Sequence, residues 1–389
     1  MRILIALTYY RPHVSGLTVY AQRLAHGLAR RGHTVTVLTS RFSPRLPVRE
    51  RDADGVDIVR VPVSLGVSKG VIMPLFPLYA ALLVRRHDAL SVHLPQFEAS
   101  LLAGLGRLMG RPVVLTYHCD LRMPPGLFNR IVETSLAPLN EMAARLAHRI
   151  VVTTADYAEH SRFLSRHRSK QAVIPTLIDM PLPSEGVSQR VAARWHLNGA
   201  PRIAFAARFA AEKGVEYLLQ ALPLVAREFP GLQLAFTGAY KYTVGEDAYL
   251  ERLEPLLTAQ RERLTFLDLL DPEELSSFFS LCDVVAVTSL NSTESFGMVQ
   301  VESMLCGTPV VATDLPGVRE AVRRTGMGLV VPPRDPAALA EGLIRVIRDR
   351  SRFIKPRAEI AAAFSLDAAL AQYEQLFAAC GPSRGDRQP

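Results

Sequence analysis

From end to end the chain alternates short apolar runs with amphipathic stretches, and it goes through this alternation twice. That rhythm narrows the possible folds sharply. A strand buried on both faces reads as an unbroken apolar run, and a parallel neighbour can be reached only through a crossover, usually a helix. At the start, "RILIALTY" predicts a strand, and "TVYAQRLAHGLARRG" predicts a helix from its apolar spacing at Val19, Leu24 and Leu28 and its stop at Gly32. "HTVTVLTS" completes a βαβ opening, and "DALSVHLP", "RPVVLTYH", "HRIVVTT" and "KQAVIPT" continue the series of strands.

Strand signals pause between Met180 and Gly199, where Pro, Ser and Gly cluster, and resume with "PRIAFAARF", "LQLAFTG", "RLTFLDLL" and "DVVAVTS". A chain of 389 residues exceeds what one hydrophobic core ordinarily holds. The expected organisation is therefore α/β, with one Rossmann-like domain over 1–180, a linker over 181–199 and a second such domain over 200–364. A final helix spans 365–380 and a frayed tail 381–389. The start, "MRILIALTYYRPHVSG", is read as a first strand, because it reaches Arg11 and Pro12 without the small-residue cleavage site of a secretory signal. The four cysteines, Cys119, Cys282, Cys306 and Cys380, lie far apart with no C-x-x-C pair. Neither a zinc site nor a disulfide framework is expected, no metal or cofactor is assigned, and a cytoplasmic location fits.

Net charge is +8 and unevenly spread: residues 1–180 carry 23 Lys/Arg against 12 Asp/Glu, while the rest of the chain is slightly acidic. Such a balance suits an anionic partner, or a solvated surface with no partner. The run "VIMPLFPLYAALLV", Val71 to Val84, is too short to span a bilayer as a helix. It reads either as a buried helix or as a surface entering the headgroup layer, flanked by Lys69, Arg85 and Arg86.

Ligands of open α/β sheets settle beyond the carboxyl ends of the strands, so the residues that follow each strand are the candidates. After "RIAFAA" come Arg208 and Lys213, the latter just before Gly214 and a helix start whose dipole favours anions. Gly238 follows the next strand, where a missing side chain permits close backbone approach. "STESFG" ends the strand "DVVAVTS" and opens the helix "MVQVESMLC". Glu294 precedes that helix and Glu302 lies about five residues inside it, roughly 7–8 Å along the axis. Unpaired buried carboxylates are costly, so this pair calls for solvent, a cation or a hydroxyl-rich ligand. Hydroxyls, diphosphate, hydroxyls is the order of groups in a sugar nucleotide.

The spacing Glu294-x7-Glu302, preceded by Arg208-x4-Lys213-Gly214 and followed by "GTPVVATDLPG", resembles the retaining GT-B glycosyltransferases of family GT4. The likeness runs from "YYRPHVSG" and "RRGHTVTVLT" to the last helix. Ser15 and Ala207 stand where similar proteins often have glycine. The resemblance implies two Rossmann-like domains facing a central cleft, with the C-terminal helix crossing back to the first domain. It implies transfer of a hexosyl unit from a UDP- or GDP-sugar to a lipid-linked or saccharide acceptor in cell-envelope glycolipid or polysaccharide synthesis.

By the same resemblance Glu294 contacts donor-sugar hydroxyls, Glu302 the ribose, and Arg208 with Lys213 the departing diphosphate without a metal. Ser295, Phe296, Gly297 and Met298 line sugar and phosphates, Gly16 approaches the diphosphate or acceptor, and His118 in "TYHCD" hydrogen-bonds the donor sugar beside Asp120. The donor is expected on the second domain and the acceptor on the basic first domain, and the charge of residues 1–180 with the apolar run 71–84 predicts peripheral attachment to an anionic inner membrane face. A sugar-nucleotide epimerase of the same architecture is the rival enzyme, distinguished by donor turnover without acceptor. A dinucleotide oxidoreductase lacks its G-x-G-x-x-G after any strand. A basic non-catalytic membrane-binding protein is a further alternative. Nucleic-acid binding lacks interleaved aromatic and basic residues and would set the acidic pair against phosphates.

Overall fold

The computed structural model describes residues 1–67, 70–120, 127–196, 201–240 and 246–380. The 381–389 tail, the last residues of the 181–199 linker and Lys69 lie outside the described residues. The chain divides into two compact units, one of residues 1–177 with 365–389 and the other of residues 178–364.

In the first unit the strands are Arg2–Ala6 (β1), Thr34–Arg41 (β2), Arg49–Arg51 (β3), Asp57–Pro62 (β4), Leu65–Val67 (β5), Gly70–Ile72 (β6), Ala89–Leu94 (β7), Val113–Tyr117 (β8), Arg149–Val152 (β9) and Gln171–Val173 (β10). Among the described residues, eight of them form one sheet in the order β10-β9-β8-β7-β1-β2-β4-β3, parallel except where β3 runs against β4. β5 and β6 pair separately as an antiparallel ribbon. The central strands are the apolar runs of the sequence: Ile3, Leu4, Ile5, Val92, Leu94, Val114 and Leu115 are wholly buried, as a sheet covered on both faces requires.

The helix Leu366–Cys380 belongs to this unit, and three contacts fix it there. The Tyr373 hydroxyl lies 2.8 Å from that of Tyr20 and 2.9 Å from Thr116 Oγ1. Leu370 fills the space beside Gly27, where a Cβ would come within 2.6 Å of Leu370 Cδ1. Glu374 accepts from Arg31 at 3.1 and 2.9 Å and pairs with His33 at 2.7 Å.

In the second unit Arg202–Ala206 (β11), Gln233–Thr237 (β12), Leu264–Phe266 (β13), Val284–Val287 (β14), Val310–Thr313 (β15) and Gly328–Val331 (β16) form, among the described residues, a parallel sheet in the order β13-β12-β11-β14-β15-β16. Two apolar clusters cover its faces, one around Phe278, Val301 and Met304, the other around Leu218, Leu222 and Phe236. Within the stretch read as a linker, the helix Glu185–Arg194 joins the first cluster through Val187 and Val191, the two apolar positions that share one face of it.

The run Val71–Val84 resolves into the end of β6 and the helix Phe76–Arg86, which has two apolar faces. Phe76, Ala80 and Val84 are buried, whereas Leu75, just before the helix, and Leu78 and Leu82 within it are exposed. No helix among the described residues is long and apolar enough to cross a membrane.

Candidate active site

The strand order of the second unit reverses between β11 and β14, the place beyond which ligands of open α/β sheets settle. The candidate cations follow β11, and the candidate carboxylate Glu294 follows β14. The two loops are tied together. Thr288 Oγ1 donates to the Lys213 carbonyl at 2.7 Å, and the Leu290 amide donates to the Glu212 carbonyl at 2.9 Å. Gly214, at φ +64°, starts the helix Val215–Glu228; a Cβ there would strike the Thr288 carbonyl oxygen and lie 2.8 Å from Leu290 Cδ2. Only glycine suits both the left-handed backbone and this approach.

The seam delivers the Lys213 ammonium to the Glu294 carboxylate as an ion pair, with Ser289 Oγ donating to the same oxygen at 3.4 Å. Arg208 pairs with Glu212 and lies 4.0 Å from Glu246 Oε1. The other oxygen of Glu246, a residue only 3% exposed, accepts the Ala211 amide at 3.1 Å and so holds the turn that carries Lys213. At Gly238, with φ +120°, a Cβ would come within 2.6 Å of the Ala207 carbonyl oxygen.

The helix Met298–Leu305 begins at Gly297, at φ +76°, with no side chain capping it. Its approach is fixed by buried Gln300, whose amide donates to the carbonyls of Phe296 at 2.6 Å and Val318 at 2.8 Å. Phe296 anchors the turn in the core, its ring 5.7 Å from that of Phe364 in an edge contact. Ser295 and Met298 are half-buried on either side of the turn, and Glu302, the fifth residue of the helix, is 7% exposed. Among the described residues no group of three His, Cys, Asp or Glu side chains is arranged to hold a metal ion.

In the first unit the corresponding reversal lies between β1 and β7. Beyond β1, Gly16 is the first residue of the helix Gly16–Arg30. Ser15 caps that helix: its hydroxyl accepts from the Thr18 amide at 3.3 Å, and its own amide donates to Thr18 Oγ1 at 2.8 Å. A serine in this position therefore has a local structural reason. His118 follows β8, with its amide donating to Leu94 at 3.1 Å.

The Nε2 atom of His118 is 2.8 Å from Nδ1 of His93, the two rings stack at 5.0 Å, and Tyr20 meets His118 edge-on at 5.0 Å. Burial lowers the His118 pKa to about 3 and that of His93 well below its ordinary value, so both rings are neutral near pH 7 and share one N–H between them. Among the described residues, Nδ1 of His118 has no partner. Asp120 is taken up structurally, its Oδ1 accepting from Tyr117 at 2.7 Å and Ser161 at 2.6 Å.

Glu212, Glu246, Gln300 and His93 were not among the residues singled out from sequence. The i,i+4 spacing of Arg208 and Glu212 was a readable signal, as was a histidine near the end of a strand neighbouring the one before His118. Glu246 and Gln300 act through contacts that no local pattern announces.

Two α/β units, each built on a sheet whose parallel strands reverse their order once, define the class of fold as GT-B. Sucrose-phosphate synthase from Thermosynechococcus elongatus superposes with a TM-score of 0.77 over 97% of this chain and 99% of that one, at 23% identity. Anabaena HepE in complex with UDP-glucose superposes with a TM-score of 0.75 over 97% of this chain and 100% of that one, at 20% identity. The description "Glycosyltransferase Family 4" matches residues 14–181 and "Glycosyl transferases group 1" residues 192–363, and the chain belongs to this family of glycosyltransferases. It is 29% identical over 367 residues to phosphatidyl-myo-inositol mannosyltransferase of Mycobacterium tuberculosis, with 91% of this chain and 90% of that protein covered.

Proposed function

We propose that the protein transfers a hexosyl unit from a nucleoside diphosphate sugar to an acceptor hydroxyl, retaining the anomeric configuration and using no metal. The observation that carries this reading is the meeting of Lys213 and Glu294 ahead of the helix that holds Glu302. Lys213 and Arg208 take the diphosphate, Glu294 the sugar hydroxyls and Glu302 the ribose. Phe296, Gly297 and Met298 offer backbone at the helix start, where the helix dipole favours anions. Gly16 serves the diphosphate or acceptor, and neutral His118 serves the sugar through Nδ1.

As the bond from the anomeric carbon to the diphosphate breaks, its electron pair leaves with the phosphate oxygen, and the two cations stabilise the growing charge. The acceptor oxygen bonds to the oxocarbenium-like carbon on the vacated face and gives its proton to the departing phosphate. UDP-glucose in the HepE complex and the mannosyl transfer in the mycobacterial relative's name make UDP- and GDP-hexoses the donors to test first.

A lipid-linked acceptor in envelope glycolipid or polysaccharide synthesis, met at the inner face of the membrane, suits the basic charge of residues 1–180. It also suits the exposed Leu65, Ile72, Leu75, Leu78 and Leu82, which share the segment that ends in Arg85 and Arg86. Vesicle flotation checks this: binding that rises with anionic lipid and falls with salt is expected, and indifference to both counts against it.

A thermal-shift panel of nucleoside diphosphates and their sugars, with and without EDTA, tests the main reading. One nucleotide series should raise the melting temperature without metal. Glu302→Ala should weaken nucleotide binding, and Glu294→Ala should chiefly slow transfer. No shift with any nucleotide, or equal and negligible effects of both substitutions, contradicts the assignment.

A further inference from the structure

The groups assigned to the donor are paired with one another. Lys213 is paired with Glu294, and Arg208 with Glu212 beside Glu246. Two cations therefore face three carboxylates, and a diphosphate entering this cluster must compete for its cations. Arg208 can keep a neighbour while adding a phosphate contact, because its guanidinium carries five donors on a planar fork. Lys213 presents a compact point charge, and phosphate and Glu294 compete for the same ammonium.

We infer that Glu294 is a specificity-determining residue that works by competition: it displaces a nucleoside diphosphate from Lys213 unless a sugar is attached to occupy its carboxylate. A nucleoside diphosphate alone takes Lys213 and leaves Glu294 stripped of its cation and close to a like charge. A nucleoside diphosphate sugar takes Lys213 and at the same time offers hydroxyls to Glu294, so both halves of the broken ion pair are satisfied. Once the sugar has left for the acceptor, Glu294 returns to Lys213 and the diphosphate is expelled. The site thus separates substrate from product, although both carry the same nucleotide. This rests on the donor assignment above and adds a role that hydrogen bonding to sugar does not by itself require.

Calorimetric titration of the full chain with UDP, GDP, UDP-glucose and GDP-mannose tests it, on wild type, Glu294→Gln, Lys213→Met and the double variant. The isosteric Gln keeps hydrogen bonding but removes the charge. Glu294→Gln should bind the preferred nucleoside diphosphate roughly three- to tenfold more tightly, the scale of a partly exposed ion pair. It should bind the matching sugar nucleotide no more tightly than wild type does. In the Lys213→Met background the gain should vanish, since the contested ammonium is gone.

Unchanged or weaker binding of the diphosphate by Glu294→Gln, with its melting curve intact, overturns the competition while leaving the donor site standing. A gain that survives in the Lys213→Met background also overturns it. Failure of every nucleotide to bind wild type removes the donor assignment itself, and the inference with it.

Discussion

The seam between the loops after β11 and β14 makes Gly214 a quantitative test of how the site is held together. Alanine at this position meets two separate penalties. Holding a left-handed backbone with a Cβ costs about 1–2 kcal/mol. Forcing that Cβ against the Thr288 carbonyl and the Leu290 side chain adds the cost of overpacking, about 1–3 kcal/mol. The obstacle cannot simply move aside, because Thr288 and Leu290 are hydrogen-bonded back to Lys213 and Glu212 on either side of the contact.

Gly307 serves as the internal control, since its φ is also positive, +82°, but a Cβ there meets nothing within 4 Å. Gly307→Ala should show the backbone penalty alone. The expected loss for Gly214→Ala is thus roughly 2–5 kcal/mol, against about 1–2 for Gly307→Ala. At about 2–4 °C per kcal/mol for a unit of this size, that is a fall in melting temperature of roughly 4–20 °C against roughly 2–8 °C. Scanning calorimetry reads the difference. Donor affinity should fall at least tenfold in Gly214→Ala only, because opening the seam moves Lys213 away from Glu294. Equal destabilisation of the two variants, or full donor affinity in Gly214→Ala, would refute the claim that this packing sets the position of the cation.

Tyr373→Phe removes the hydroxyl between Tyr20 and Thr116, leaves both short of a partner in a buried setting, and should cost about 1–3 kcal/mol in urea unfolding; a neutral result would mean that the helix Leu366–Cys380 does not depend on this bridge. Neutral His118 should show no protonation between about pH 5 and 8 in nitrogen-correlated NMR, and a titration near 6.5 would contradict its burial against His93. The hydrogen bond from Arg31, with His33 adding to it, holds the Glu374 carboxyl below its ordinary 4.5. Its contribution is therefore complete above that pH and fades as pH falls through the lowered value. The stability gap between wild type and Glu374→Gln should close on acidification; a gap constant with pH would show that the charge plays no part.

The fold was legible because its strands are apolar on both faces. "RILIALTY", "RPVVLTYH" and "DVVAVTS" correspond to β1, β8 and β14, and the spacing of Glu294 and Glu302 around a helix start needed only the rise per residue. What escaped the sequence depends on contacts between distant segments. His93 meets His118 because β7 and β8 are adjacent, and Glu246 reaches Ala211 across 35 residues. Gly238 meets the Ala207 carbonyl across 31 residues, a contact that no local pattern announces. The 14-residue apolar run was similarly ambiguous: one face of its helix is buried and the other exposed, and apolar spacing does not say what meets the exposed face.

A crystal structure of the protein with the nucleoside diphosphate sugar that most raises its melting temperature tests the central claim most directly. The account predicts sugar hydroxyls on Glu294, ribose on Glu302 and diphosphate on Lys213 and Arg208, with the ion pair between Lys213 and Glu294 broken. A nucleotide bound elsewhere, or bound here with that ion pair intact, would contradict it.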